Sequence, residues 1–170
     1  MEQKLQAVAL ETLESSVFTV FYQNTPLLTA GNREHFNTMT IGWGGLGTLW
    51  SLPVCTVYVR PQRYTYEFME QSDYFTVSVF GEQYKDAMAL CGSRSGRDVD
   101  KVKECGLTAA FAEGDAPYFE EAELVLVCRK LYADDLKSEK FIDTAVDEKV
   151  YPAHDYHRVY IGRVVQVLKK

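Results

Sequence analysis

The sequence predicts a mostly β, α+β fold: a closed antiparallel sheet with a few flanking helices. Three observations lead there. Short strand-like runs recur along the chain, with few helical stretches between them. No β-α-β rhythm is present, which argues against a parallel, doubly wound sheet. No G-x-G-x-x-G follows a strand, so a dinucleotide fold is not indicated. With 170 residues and no repeat, linker or low-complexity tract, the chain reads as one domain over 1–170, long enough to bury a core.

The elements follow in order. Residues 1–16 are polar and mildly amphipathic and read as a short helix or an arm. Residues 17–22 are β-branched and aromatic and predict a strand. Asn24-Thr25-Pro26 is turn chemistry. A second strand covers 27–30 and closes at Gly31-Asn32. From 36 to 50 the chain is Gly-rich and alternates poorly, which marks bulges, sharp bends or close approach of a ligand to bare backbone. Pro53 opens a strand over 54–59, where Pro is tolerated at a first position. Pro61 suits the first turn of a helix reaching about Glu70. On that helix Tyr64, Phe68 and Met69 share a stripe that reads as core.

Residues 74–80 alternate with period two, as a half-buried strand does, and 82–90 are helical. The loop 91–99, C-G-S-R-S-G-R-D-V, leads into a short helix that starts near Asp98 and carries Lys101; Gly106 ends it. Residues 107–119 read as irregular chain with short strands. Long strands are expected at 123–132 and 159–168. The acidic stretch between them, 133–151, reads as a loop with one helical turn.

Composition narrows the function. Hydrophobic residues at 46% and charged residues at 25% are ordinary for a globular protein. Eleven Tyr and nine Phe exceed the needs of a small core, so some are expected at a ligand site or a subunit interface. A net charge of -6 argues against nucleic acid and against an anionic membrane surface, both of which call for a basic face. No apolar run is long enough for a transmembrane helix. The opening Met1-Glu2-Gln3-Lys4 leads to Glu11 and Glu14 and not to an apolar leader, so a cytoplasmic protein is expected. Cys55, Cys91, Cys105 and Cys128 form no C-x-x-C pair and read as structural thiols.

The most informative stretch runs from Asn37 to Thr65. It offers small hydrogen-bonding groups (Asn37, Thr38, Thr40), bare backbone at Gly42, Gly44, Gly45 and Gly47, flat aromatics at Trp43 and Trp50, and then Arg60, Arg63 and Thr65. Those parts suit a flat heteroaromatic ring joined to a phosphate. Arg60 and Arg63 bracket Pro61 at an expected helix N-terminus, where free N–H groups and the helix dipole attract an anion. The same residues read equally as two solvated arginines and a helix cap. Ser95-Gly96-Arg97-Asp98 with Lys101 suits an anion too, although a surface turn has the same composition. Trp43 and Trp50 suit a ring site or the core. His154-Asp155-Tyr156-His157 does not point to a metal, because the only other histidine is His35 and no cysteine partner is near; a histidine that closes over a ligand fits better.

Taken together these stretches resemble the flavin reductase-like family, and within it the flavoredoxin-type proteins. The resemblance is carried by N-T-M-T-I-G-W-G at 37–44, W-S-L-P at 50–53, V-R-P-Q-R-Y-T at 59–65, C-G-S-R-S-G-R-D-V-D-K at 91–101 and H-D-Y-H-R-V-Y-I-G at 154–162. It implies an FMN-binding split β-barrel, a six-stranded antiparallel Greek-key barrel with flanking helices. It implies FMN held non-covalently at a homodimer interface. By the same resemblance Asn37, Thr38, Met39 and Thr40 face the isoalloxazine, with Trp43 and Trp50 as nearby walls. Arg60, Arg63, Tyr64 and Thr65 lie near ribityl and phosphate. Ser95, Gly96, Arg97 and Lys101 complete the phosphate site, and His157 lies near the flavin or the partner subunit.

The expected activity is that of a flavin-dependent oxidoreductase or electron carrier, with NAD(P)H or a redox protein partner as donor and no catalytic side chain required. A non-catalytic flavin-binding or storage module is the alternative. A relative of pyridoxamine-phosphate oxidases is a third reading, which the Trp/Gly segment and the S-G-R-D-V-D-K loop disfavour.

Overall fold

A computed structural model describes residues 3–14 and 16–170. Ten strands occur among them: β1 (Gln6–Val8), β2 (Leu27–Gly31), β3 (Phe36–Thr40), β4 (Gly44–Leu49), β5 (Leu52–Val59), β6 (Tyr74–Val79), β7 (Ala109–Phe111), β8 (Pro117–Phe119), β9 (Leu124–Asp135) and β10 (Arg158–Lys169). The α-helices are α1 (Tyr64–Gln71), α2 (Lys85–Ser93), α3 (Lys101–Glu104) and α4 (Thr144–Val150). Among the described residues no helix is long and apolar enough to cross a membrane.

Eight strands pair in one antiparallel sheet, in the order β3-β2-β6-β9-β10-β5-β4, with β1 beside β10; the resemblance implies six. The two ends of that order, β3 and β4, are neighbours in sequence, separated only by residues 41–43. The sheet therefore rolls until its edges meet at a corner, but no ladder closes them. The closed sheet that the strand pattern predicts is split along this seam, as the resemblance to a split barrel implies. At the corner Ile41 donates its N–H to the Pro26 carbonyl (2.9 Å), which carries the β2–β3 pairing one residue past β3. Side chains hold parts of the free edge instead: Lys101 Nζ donates to the Thr38 carbonyl (2.8 Å), and the Thr40 hydroxyl donates to the Met88 carbonyl (2.5 Å). A sheet edge covered in this way is protected from pairing with another chain.

The core is double, and β9 explains why. Leu126 and Cys128 point into the rolled sheet with Leu28, Val57, Val77, Phe75 and Tyr160. Val125 and Val127, one residue out of phase, face outward against Phe80 at the end of β6, Met88 of α2 and Phe119 of the β7–β8 hairpin. Side chains alternate along a strand, so a strand covered on both sides reads as an unbroken apolar run. Each such buried aliphatic side chain contributes about 1.5–3 kcal/mol. The register shift at Ile161/Gly162 lets β10 bend past the interior, where a Cβ on Gly162 would meet the Phe75 ring at 2.6 Å.

Several local expectations are corrected. Residues 17–22 belong to helical turns, with a π-helical stretch at Thr19–Gln23, and not to a strand. Consecutive Val20 and Phe21 are both buried there while Phe18 and Tyr22 are exposed, a pattern that a strand cannot give in a half-buried sheet. The segment 1–16, of which residues 1, 2 and 15 lie outside the described residues, forms β1 and a 3-10 turn at Leu10–Thr12 in place of a helix or an arm. Helix α1 starts at Tyr64, since Pro61 sits in a turn closed by Arg63 N–H to the Arg60 carbonyl (3.0 Å). Cys91, Gly92 and Ser93 finish α2, and α3 starts at Lys101 behind Asp100, whose carboxylate accepts from Lys103 N–H (3.1 Å). The acidic stretch continues β9 to Asp135 and then forms α4, capped by Asp143.

Candidate functional site at the barrel seam

Strand β5 ends at Val59 and delivers Arg60 to the seam. The turn that follows brings Arg63, Tyr64 and Thr65 to the N-terminal end of α1. On the facing wall, β3 presents alternate residues Asn37 and Met39, and Asn37 Nδ2 donates to Thr65 Oγ1 (2.8 Å), joining strand to helix. The third wall is the end of α2 with the loop 94–100. Together they enclose a cavity of about 430 Å³, lined by Asn37, Met39, Arg60, Gln62, Arg63, Tyr64, Thr65, Cys91, Ser93, Arg94, Ser95, Gly96 and Lys101. Gly96 is required by space: a Cβ there would meet Asn37 Oδ1 at 2.0 Å and the Tyr64 ring at 3.2 Å.

The cavity is cationic in an acidic chain. Arg60, Arg63, Arg94 and Lys101 line it, and no carboxylate does. Arg63 donates to the Gly92 carbonyl (3.2 Å). Arg60 is bound from outside the cavity by Asp155 and donates to the Val150 carbonyl (3.1 Å). Lys101 is the unusual member. It is 6% exposed, and its ammonium has two carbonyl partners, Thr38 and Cys91 (2.8 and 2.9 Å), with no carboxylate ion-paired to it. Burial pushes its pKa down, and Arg63 pushes the same way. A buried cation in this setting favours an incoming anion strongly.

A smaller pocket of about 210 Å³ continues along the seam, lined by Met39, Thr40, Ile41, Gly42, Trp43, Tyr58, Arg60, Arg63 and His157. It shares Met39, Arg60 and Arg63 with the cationic cavity. Trp43, half exposed, lies over His157 with ring centroids 4.5 Å apart. His157 Nδ1 and the Tyr151 hydroxyl are 2.8 Å apart. Burial, aided by the Arg60 charge, pushes the His157 pKa down to about 4, so the imidazole is neutral near pH 7.

The structure thus brings Asn37, Met39, Arg60, Arg63, Tyr64, Thr65, Ser95, Gly96 and Lys101 to one cavity, and adds Thr40, Trp43 and His157 along the seam. Three predicted residues stand elsewhere. Thr38 turns its hydroxyl inward to Thr29 (2.9 Å) and offers only its carbonyl to Lys101. Arg97 lies over the Tyr64 ring (4.4 Å), paired with Glu67, and lines a separate cleft behind Gly96. Trp50 sits at the tip of the β4–β5 hairpin against Tyr132, away from both pockets. The sequence reading did not single out Gln62, Ser93, Arg94 or Tyr58, and it took Asp155 only as the carboxylate between two histidines. Tyr58 shares a strand phase with Arg60 and was in principle detectable. Arg94 was visible as the other arginine of its loop, but choosing between it and Arg97 needs the end of α2. Asp155 gives no signal, because its partner Arg60 lies 95 residues away.

An antiparallel sheet rolled into a split barrel, with helices over its seam, is the flavin reductase-like class of fold. The chain belongs to the flavin reductase-like domain family, whose model matches residues 19–170. Among solved structures, flavoredoxin from Methanosarcina acetivorans is similar at 23% identity and a TM-score of 0.66, over 85% of this chain and 67% of that one. An FMN-binding domain of a flavin reductase-like enzyme from Shewanella baltica gives 20% identity and a TM-score of 0.68, over 97% and 76%. An NADH:FAD oxidoreductase from Streptomyces globisporus gives 16% and 0.64, over 86% and 75%. No curated protein matches the chain.

Proposed function

We propose that the chain is a flavin-dependent oxidoreductase that holds FMN non-covalently, with the phosphate in the cationic cavity and the ring along the seam from Met39 to Trp43. The observation that carries this reading is Lys101, a buried ammonium among three arginines with no carboxylate lining the cavity. The residues fit the group. Gly96 leaves room beside Asn37 that a Cβ would fill, and the α1 N-terminus, which no side chain caps, lies beside Thr65. The phosphoryl-binding set is then Lys101, Arg63, Arg94, Ser95 and Thr65. Trp43 and Met39 supply flat and adaptable apolar walls for a ring, and His157 offers a neutral imidazole at the same pocket. FMN, when bound, supplies the electron-transfer chemistry. The chain's residues bind, orient and shield it.

The donor is NAD(P)H or a redox protein partner. The pocket beside Trp43 is small for a three-ring system, and Trp43, Leu49, Trp50, Leu131 and Tyr132 leave apolar surface exposed. A second copy of this chain that covers the ring accounts for both, giving a homodimer with FMN at its interface. Membership of the family and the flavin-binding proteins among the similar structures support the reading.

The test is the visible absorption spectrum of freshly purified protein, followed by anaerobic mixing with NADH and with NADPH. Flavin bands that bleach on mixing are expected for a reductase. Bands that persist until a reduced redox protein is added indicate a carrier. Bound FMN that no donor reduces indicates a storage module, and a colourless protein that takes up no FMN rules out flavin binding altogether.

A further inference from the structure

The last turn of α2 places Cys91 at the floor of the cationic cavity, 1% exposed. Cys105 caps the C-terminal end of α3, the helix that carries Lys101. Their sulfurs lie 3.8 Å apart. A disulfide has an S–S length of about 2.05 Å, so closure needs less than about 2 Å of approach. The pair also straddles the lysine: Lys101 Nζ donates to the Cys91 carbonyl (2.9 Å), and Cys105 N–H donates to the Lys101 carbonyl (3.0 Å).

The two thiols are not equivalent. Cys91 is closed off by protein on every side but the cavity, whereas Cys105 is only partly buried, with Sγ 3.7 Å from the Ala87 carbonyl. Burial pushes the Cys91 thiol up to about 12. Burial raises Cys105 too, but the Cys91 hydrogen bond acts in the opposite direction there. Cys105 is thus the sulfur that reacts first, slowly, and Cys91 the one that resolves. The other two cysteines, Cys55 and Cys128, are fully enclosed inside the rolled sheet.

We propose that Cys91 and Cys105 form a thiol oxidation site, which a hydroperoxide closes reversibly into a disulfide beneath the anion cavity. The Cys105 thiolate attacks one oxygen of hydrogen peroxide; the O–O bond breaks, a sulfenic acid forms, and hydroxide leaves and takes up the thiol's proton as water. The Cys91 sulfur then attacks the Cys105 sulfur; the S–S bond forms, the S–O bond breaks, and the departing hydroxide takes the Cys91 proton as a second water. Two thiols lose two electrons in all, and peroxide is reduced to two waters. The bridge ties the end of α2 to the end of α3 across the loop that carries Arg94, Ser95 and Gly96. The site does not depend on FMN being the ligand above it.

The test treats the full-length, folded chain with hydrogen peroxide, blocks the remaining thiols and maps the peptides by mass. The expected result is a product lacking two hydrogens, with the peptides of Cys91 and Cys105 linked and with separate thiols restored by dithiothreitol. In Cys91→Ser, dimedone is expected to trap a sulfenic acid on Cys105, since nothing resolves it. Four unmodified thiols, a Cys55–Cys128 link, or a sulfinic acid on Cys105 of the unsubstituted chain would each overturn the proposal.

Discussion

A lysine enclosed with two carbonyls and no carboxylate costs the ligand-free fold stability, and Lys101 is in that position. A charge-assisted hydrogen bond to phosphate is worth about 1.5–3 kcal/mol, or about ten- to a hundredfold in affinity. Lys101→Met is therefore expected to weaken FMN binding by that factor while raising the melting temperature of the ligand-free chain, both measurable on one preparation. His157 gives a pH signature. Its folded pKa of about 4 lies below the ordinary 6.5, so between those values the unfolded chain holds the extra proton. Stability is then expected to fall as pH drops from 6.5 towards 4. Urea midpoints across that range check it, with His157→Gln flattening the dependence; an unchanged slope in the variant contradicts the assignment. At this scale the sequence was legible where residue type and spacing coincide, as at Asn37, Arg60, Arg63 and Lys101. It was not legible where a helix end decides which of two arginines points inward, as with Arg94 and Arg97.

The β4–β5 hairpin turns on Trp50 and Ser51, both left-handed, with φ of 53° and 58°. A two-residue turn with that backbone prefers Asn-Gly, and non-glycine residues there carry strain of about 1 kcal/mol or more. Trp50 is 56% exposed at this strained position, and the proposed homodimer would cover it. Trp50→Asn with Ser51→Gly is expected to raise the monomer's unfolding free energy by about 1 kcal/mol and to weaken self-association, seen by sedimentation. A variant that is stabilised yet dimerises as before would remove the hairpin tip from the interface. The strands β6 and β9 were readable in sequence from their apolar, β-branched runs, but β6 is buried on both faces from Phe75 to Val79 and not half-buried as its alternation suggests. Residues 17–22 were not, because a β-branched, aromatic run fits a strand or a short buried helix until its burial phase is known.

For the whole molecule, the decisive feature is that β3 and β4 end the sheet order although only residues 41–43 separate them. That single fact rolls the sheet, leaves the seam open and sets the cationic cavity and the Trp43 pocket end to end. The antiparallel class was readable from the absence of a β-α-β rhythm. The open seam was not, since pairing between strands far apart in sequence leaves no local mark, and neither does the Arg60–Asp155 contact that fixes one wall of the site. The most direct measurement of the account is calorimetric titration of the chain with FMN and, separately, with riboflavin, which has the same ring and no phosphate. One FMN per chain is expected, with riboflavin bound at least about a hundredfold more weakly, the loss of two or more charge-assisted contacts. Equal affinity for the two, or no binding of FMN, would contradict it.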